Sequence, residues 1–189
     1  MNDWSSALVG AIWLLWFALY RFVTRGTLPD EQVEPFWSRA SYIVPMLASA
    51  ALIAWPVWPG WLGERILPSS RALYWVGLCV TVVGLGFSTW GRAVLGANWS
   101  GTVALKVGHE LVRSGPYRWI RHPMYAGVLL AMVGSSLALG RVHVAVGSLI
   151  ALLALSYKSR IEERWMRREF GETWAAYARS TWALFPLIF

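Results

Sequence analysis

Three long apolar runs open the chain, Trp4 to Val23, Ala40 to Val57 and Leu73 to Leu95, each near the ~20 residues a helix needs to cross a bilayer. The connection RGTLPDEQVEPFWSR carries Pro29 and Pro35, which exclude a continuing helix. Pro45 comes early in the second run, where a helix tolerates it, and Pro56 helps to end that run before PGWLGERILPSSR. Gly77, Gly84 and Gly86 in the third run allow close approach of a neighbouring helix. Asp3 precedes the first run with no Lys or Arg, and no small-residue cleavage site follows, so that run reads as a retained span and not a signal peptide.

After Arg92 the pattern breaks. The segment GANWSGTVALKVGHELVRSGPYRWIRHP has no long apolar period, and an irregular connection of this length in a compact protein is usually functional. Two shorter apolar runs follow, Met124 to Leu139 and Val142 to Tyr157, parted by Gly140-Arg141. Each has about 16 residues, roughly 24 Å of helix against ~30 Å of hydrocarbon, which suits a tight hairpin in thinned bilayer. From Lys158 to Arg179 the chain is charged yet keeps Ile161, Trp165, Phe170, Trp174 and Tyr177 at broadly helical spacing, with a bend due near Gly171. The pattern predicts an all-α integral membrane protein. It has five transmembrane helices, the last two a helical hairpin, and then a C-terminal amphipathic interfacial helix.

Composition agrees. The chain is 57% hydrophobic and 14% charged, with mean hydropathy +0.46, whereas an ordinary globular chain is about 25% charged. The net charge of +7 belongs to cationic loops facing anionic headgroups and not to a nucleic-acid surface. The single Cys79 lies within an apolar run, the three histidines are scattered, and no HExxH or Cys pair is present, so no metal site is expected. With five spans, the loops after the first, third and fifth share a side and hold 14 of the 17 Lys and Arg; the other side has Arg65, Arg71 and Arg141. That bias puts the N-terminus outside and the C-terminus in the cytoplasm, together with both polar clusters.

The first cluster is GPYRWIRHPMYAG, Gly115 to Gly127. Pro123 disfavours the α region at His122 and suits the first turn of a helix, so the fourth span starts at Pro123 or Met124. Its free N–H groups favour a carboxylate or phosphate, and Arg118 and Arg121 add charge beside them. Taken singly, these arginines read equally as positive-inside anchors, and Tyr117, Trp119 and Tyr125 as belt residues. Their concentration points to a site. The second cluster centres on Glu162-Glu163, flanked by Arg160 and Arg164. Adjacent helical residues lie ~100° apart, so one glutamate is expected to face the bundle and the other water. An inward carboxylate at a membrane boundary needs a cationic or hydrogen-bonding partner.

The motif HELVRSGPYRWIRHPMYAG, then a helical hairpin, then IEERWMRREFGETWAAY resembles the C-terminal half of the isoprenylcysteine carboxyl methyltransferase family, and related membrane phospholipid methyltransferases share much of it. The resemblance covers roughly Ala97 to Pro186. It implies a scaffold of spans over residues 1–96 and a cofactor-binding catalytic region over 97–189. The implied cofactor is S-adenosylmethionine, held without a Rossmann domain by His109, Glu110, Leu111, Val112, Tyr117, His122, Pro123, Met124, Tyr125 and Glu162. The family's basic substrate-side residue maps to Lys158 by spacing and to Arg160 by chemistry; Arg160 and Glu163 are the catalytic candidates. The implied reaction is methylation of the carboxylate of an isoprenylcysteine-like or other lipophilic substrate, which enters from the bilayer. A carboxylate is ionised near neutral pH and needs no general base. Phospholipid N-methylation is the alternative; there the amine must lose a proton, and Glu163 or His109 would take it. A sterol-reductase-like enzyme and a non-enzymatic membrane scaffold are the remaining readings. No metal or nucleic-acid partner is implied.

Overall fold

The computed structural model describes residues 4–23, 27–55, 58–106, 108 and 110–185. Five helices dominate: α1 Trp4–Val23, α2 Phe36–Ala54, α3 Arg71–Leu95, α4 Pro123–Leu139 and α5 Val142–Arg179. The chain is mostly helical, as predicted, and adds two short strands that the apolar pattern does not show, β1 Asp30–Val33 and β2 Ala104–Lys106, paired antiparallel with an irregularity between Asp30 and Gln32. They join the α1–α2 connection to the irregular segment after α3. Pro45 lies well inside α2, which starts earlier than its apolar run. The helix begins at Phe36 because Pro35, in an extended conformation, supplies its N-terminal boundary.

Helices α3 and α4 meet along a seam of small residues. A Cβ added at Gly77 would lie 2.4 Å from the Ala138 nitrogen, and one at Gly84 2.5 Å from that of Ala131. From the other side, Gly127 and Gly134 press on the Ser88 and Thr81 nitrogens at 2.5 and 2.4 Å. Backbones this close exchange dispersion contacts that larger side chains would prevent. Gly86, grouped with the other two by sequence, has open space around it. Thr81, fully buried in the seam, donates to the Gly77 carbonyl at 2.9 Å. At the end of the bundle where α4 turns into α5, Tyr74, Leu78, Leu139 and Val144 form an apolar core with Val9 of α1.

Among the described residues, three helical stretches are long and apolar enough to cross a membrane: Phe36–Ala54, Arg71–Asn98 and Val142–Arg179. The apolar helices Ser5–Tyr20 and Pro123–Leu139 are shorter. Outward-facing Leu15, Phe17 and Val133 nevertheless continue the apolar surface onto α1 and α4. The separate amphipathic helix after the fifth run is also revised. Helix α5 continues without a break through Tyr157 and Lys158, because Lys158, Ser159 and Ile161 stay buried. Its interruption comes at Gly171, whose φ of 50° and ψ of −124° are non-helical and cost glycine little. Both polar clusters lie at the same end of the bundle.

Candidate active site

The stretch before α4 is held as a strand-like strip by the end of the chain. After a 3-10 turn at Gly115–Arg118, Arg121 and His122 donate backbone N–H groups to the Trp182 and Ala183 carbonyls at 2.8 and 3.0 Å. The Arg121 side chain completes the join. Its Nε donates to Glu163 Oε1 at 2.7 Å, and Nη1 donates to the Ala178 carbonyl at 2.9 Å and to that of Thr181. His122 caps α4 with φ −122° and ψ 62°, outside the α region as the following Pro123 demands.

Both glutamates reach His122. Nδ1 lies 3.2 Å from Glu162 Oε2, and Nε2 lies 3.4 Å from Glu163 Oε1. The expectation that one carboxylate would face water is thus corrected: an imidazole offers nitrogens on two sides and can engage neighbours 100° apart. Burial alone would lower the His122 pKa, but hydrogen bonds and charge from Glu162 and Glu163 outweigh it and hold the ring above its ordinary value. Glu162, just past the apolar half of α5, is similarly pushed up by burial and drawn down further by His122, Lys158 and Tyr125, so its carboxylate sits below the usual range. Burial also opposes ionisation of Glu163, yet His122 and Arg121 bring it to about 2. Tyr125 donates its hydroxyl to Glu162 Oε1, and its ring stacks parallel to His122 with centroids 5.6 Å apart.

Glu162 opens onto a cavity of about 120 Å³. Its wall runs from Leu95, Asn98 and Trp99 at the end of α3 through Ser100 and Thr102–Ala104, and then through Glu110–Val112. Tyr117, Arg121, His122, Met124, Tyr125, Met166, Trp174 and Tyr177 complete it. Among the described residues, the Tyr117 hydroxyl and the Trp174 indole N–H are buried without a hydrogen-bond partner. Burial raises the Tyr117 pKa far above its ordinary value, and Glu162 adds to the effect, so that hydroxyl stays protonated as a donor.

Of the residues singled out by sequence, Glu110, Leu111, Val112, Tyr117, His122, Met124, Tyr125 and Glu162 all line this cavity. Pro123 is buried behind the wall, and His109 lies outside the described residues. The two basic candidates separate cleanly. Lys158 is 5% exposed; its Nζ donates to the Gly101 carbonyl at 2.9 Å and lies 3.9 Å from Glu162. Arg160 is exposed, about 200° around the helix from Glu162, so the structure does not bring it to the cluster. Glu163 is turned toward Arg121 and His122 and does not line the cavity.

Arg92 escaped the sequence reading. It is 1% exposed in the last turn of α3, donates to the Gly96 carbonyl at 2.7 Å and stacks 4.6 Å from the Trp99 ring, and its Nε has no hydrogen-bond partner among the described residues. The signal was an arginine within helical reach of an apolar run, which sequence reasoning counted only as a topology charge although such residues are functional candidates by default. Trp174 and Tyr177 read in the sequence as one side of an amphipathic helix; nothing in the sequence says that they line a cavity.

Residues 72–173, from the start of α3 to just past the bend in α5, match the phospholipid methyltransferase family. The chain belongs to that family. The Arabidopsis thaliana protein-S-isoprenylcysteine O-methyltransferase A is 31% identical over 138 residues, 68% of each chain. The cobalt-zinc-cadmium resistance protein CzcN of Cupriavidus metallidurans is 37% identical over 112 residues, 58% of this chain and 49% of CzcN. The solved eukaryotic intramembrane Ras methyltransferase ICMT shares the fold, with a TM-score of 0.58 at 22% identity over 80% of this chain and 50% of its own. The chain thus spans about half the length of CzcN and of ICMT. Family and fold agree with the resemblance read from RHPMY and the glutamate pair.

Proposed function

We propose that this chain is an integral-membrane, S-adenosylmethionine-dependent methyltransferase that methylates the carboxylate of an isoprenylcysteine-like or other lipophilic substrate. The observation that carries this reading is the cavity itself: seven of the residues assigned to cofactor by resemblance line one wall with an eighth, Glu162, half-buried and held anionic among them. The charge bias of the loops supports a cytoplasmic site with the N-terminus outside.

The residues present fit the cofactor. A carboxylate kept anionic by His122, Tyr125 and Lys158 suits a cationic ligand, and the partnerless Tyr117 hydroxyl and Trp174 N–H offer donors to its polar groups. When bound, S-adenosylmethionine supplies a methyl group made electrophilic by the sulfonium. The chain's own work is placement. Trp99, Tyr117 and Trp174 exclude water and present aromatic faces to positive charge. Holding acceptor and methyl in line is a proximity effect worth several kcal/mol, about 7–11 at its upper range. No residue need remove a proton from a carboxylate acceptor, which agrees with Glu163 being tied to Arg121 at a pKa of about 2 and hence a weak base. Lys158, not Arg160, is placed to balance charge at the cavity, and Arg92 brings a second buried cation beside its Trp99 wall.

Calorimetry on detergent-purified protein should show saturable binding of S-adenosylmethionine and S-adenosylhomocysteine; no binding of either would defeat the proposal. Membranes given methyl-labelled cofactor and a farnesylated cysteine acceptor should yield label that alkali releases as methanol. The family's own description favours a second reading, phospholipid N-methylation. Alkali-stable label in the lipid headgroup fraction would select it.

A further inference from the structure

We propose that Glu34, in the connection between α1 and α2, is a positioning residue for cofactor binding, because it fixes the part of the cavity wall formed by Thr102–Ala104. This rests on the methyltransferase reading and deepens it. Glu34 is 1% exposed although it lies in a loop. Its carboxylate accepts the Tyr42 hydroxyl, the Ser38 hydroxyl at 2.6 Å and the Val103 backbone N–H at 3.0 Å. Its own N–H donates to the Val103 carbonyl at 3.1 Å, and its carbonyl accepts Arg39 Nη2 at 3.0 Å. One residue of the first loop therefore grips both backbone groups of Val103.

The other end of the same strip is held from α5. The Lys158 ammonium donates to the Gly101 carbonyl at 2.9 Å and sits 5.0 and 5.3 Å from the Tyr42 and Tyr125 rings. Residues 101–104 are thus pinned between Glu34 and Lys158, and Lys158 in turn faces Glu162 at 3.9 Å. Tyr42 touches both pins: its hydroxyl donates to Glu34 and its ring lies against Lys158. Desolvating a carboxylate is costly, and an apolar side chain would fill the same space without that cost. What the carboxylate adds is three directed acceptor bonds, one of them on the cavity wall. The N-terminal residues, read from sequence as scaffold alone, then contribute to how tightly the cavity holds its ligand.

The test uses the full chain in detergent, S-adenosylhomocysteine as ligand and the variants Glu34→Ala, Glu34→Gln and Tyr42→Phe. Glu34→Ala should raise the Kd about tenfold or more, since Val103, Ser38 and Tyr42 all lose an acceptor. It should raise KM for S-adenosylmethionine with a smaller change in kcat. Glu34→Gln should stay within about threefold of wild type, because the amide oxygen still accepts from Val103 and Tyr42. Tyr42→Phe should fall between them. If Glu34→Ala does not fold, the remaining pair decides: Tyr42→Phe weaker than Glu34→Gln supports the role, and equal affinities overturn it. A folded Glu34→Ala with wild-type affinity also overturns it, and so does a kcat loss without a KM change. Failure of wild type itself to bind overturns the methyltransferase reading beneath it.

Discussion

The α3–α4 seam and the cluster at its His122 end share helices and differ in nearly everything else. The seam is held by backbone against backbone, with Gly77, Gly84, Gly127 and Gly134 admitting no side chain. The cluster is held by charge: Arg121, His122 and Lys158 against Glu162 and Glu163. Steric contact is steep and indifferent to pH, whereas paired charge is directional and titrates. One region sets where the helix ends lie, and the other sets the charge at the cavity between those ends.

The sharpest break between them is steric. Gly134→Leu should prevent assembly of the α3–α4 pair and abolish monodisperse protein on gel filtration, while Gly86→Ala, in open space, should leave thermal stability unchanged or slightly raised. A charge-based break should leave the bundle intact. Glu162→Ala or His122→Ala should weaken S-adenosylhomocysteine binding at least 100-fold by calorimetry, with helical content by circular dichroism retained, because each strands a buried charge.

The pH response follows from the two shifts. Glu163 is depressed, so its contribution is complete above its ordinary value of 4.5 and is lost as pH falls toward about 2. His122 is raised, so its contribution is complete below its ordinary value of 6.5 and is lost as pH climbs through the raised one. Thermal stability should therefore hold a plateau between those limits, and Glu163→Gln, which removes one anion from the ring, should move the alkaline fall to lower pH. The smallest effect belongs to the basic pair. Lys158→Met should lower turnover about tenfold or more, whereas Arg160→Ala, on the exposed side of α5, should stay within about twofold in the same labelled-methyl assay.

How much of this was legible depended on the interaction that decides it. The bounds of α1 and the start of α5 could be read directly, because burial in lipid makes helices nearly uniform apolar runs. The start of α4 followed from one local constraint, the residue before Pro123. The cavity-lining set followed from motif resemblance and came together. The strands did not show, since Asp30–Val33 and Ala104–Lys106 are too short to carry a period and are specified by each other across more than 70 residues. Nor did Glu34, whose partner Val103 lies 69 residues away. Helical geometry gave Glu162 and Glu163 different directions; only a ring accepting both could bring them together, and pairwise spacing does not see a third residue. Arg160 is the better match on chemistry for the family's basic substrate-side residue, but a phase difference of half a turn puts Lys158, and not Arg160, beside Glu162.

Gly77 meets Ala138, Gly84 meets Ala131 and Gly91 meets Met124 and Pro123, so the contacts recur every seven residues along α3 and end beside His122. Teeth spaced in this way give two antiparallel rods a single register. A slip by one turn would misalign every tooth at once, and with it the height at which the RHP strip faces Glu162. The seam is in effect a ruler, graduated through the depth of the bundle, with the cavity at Glu162 as its last mark.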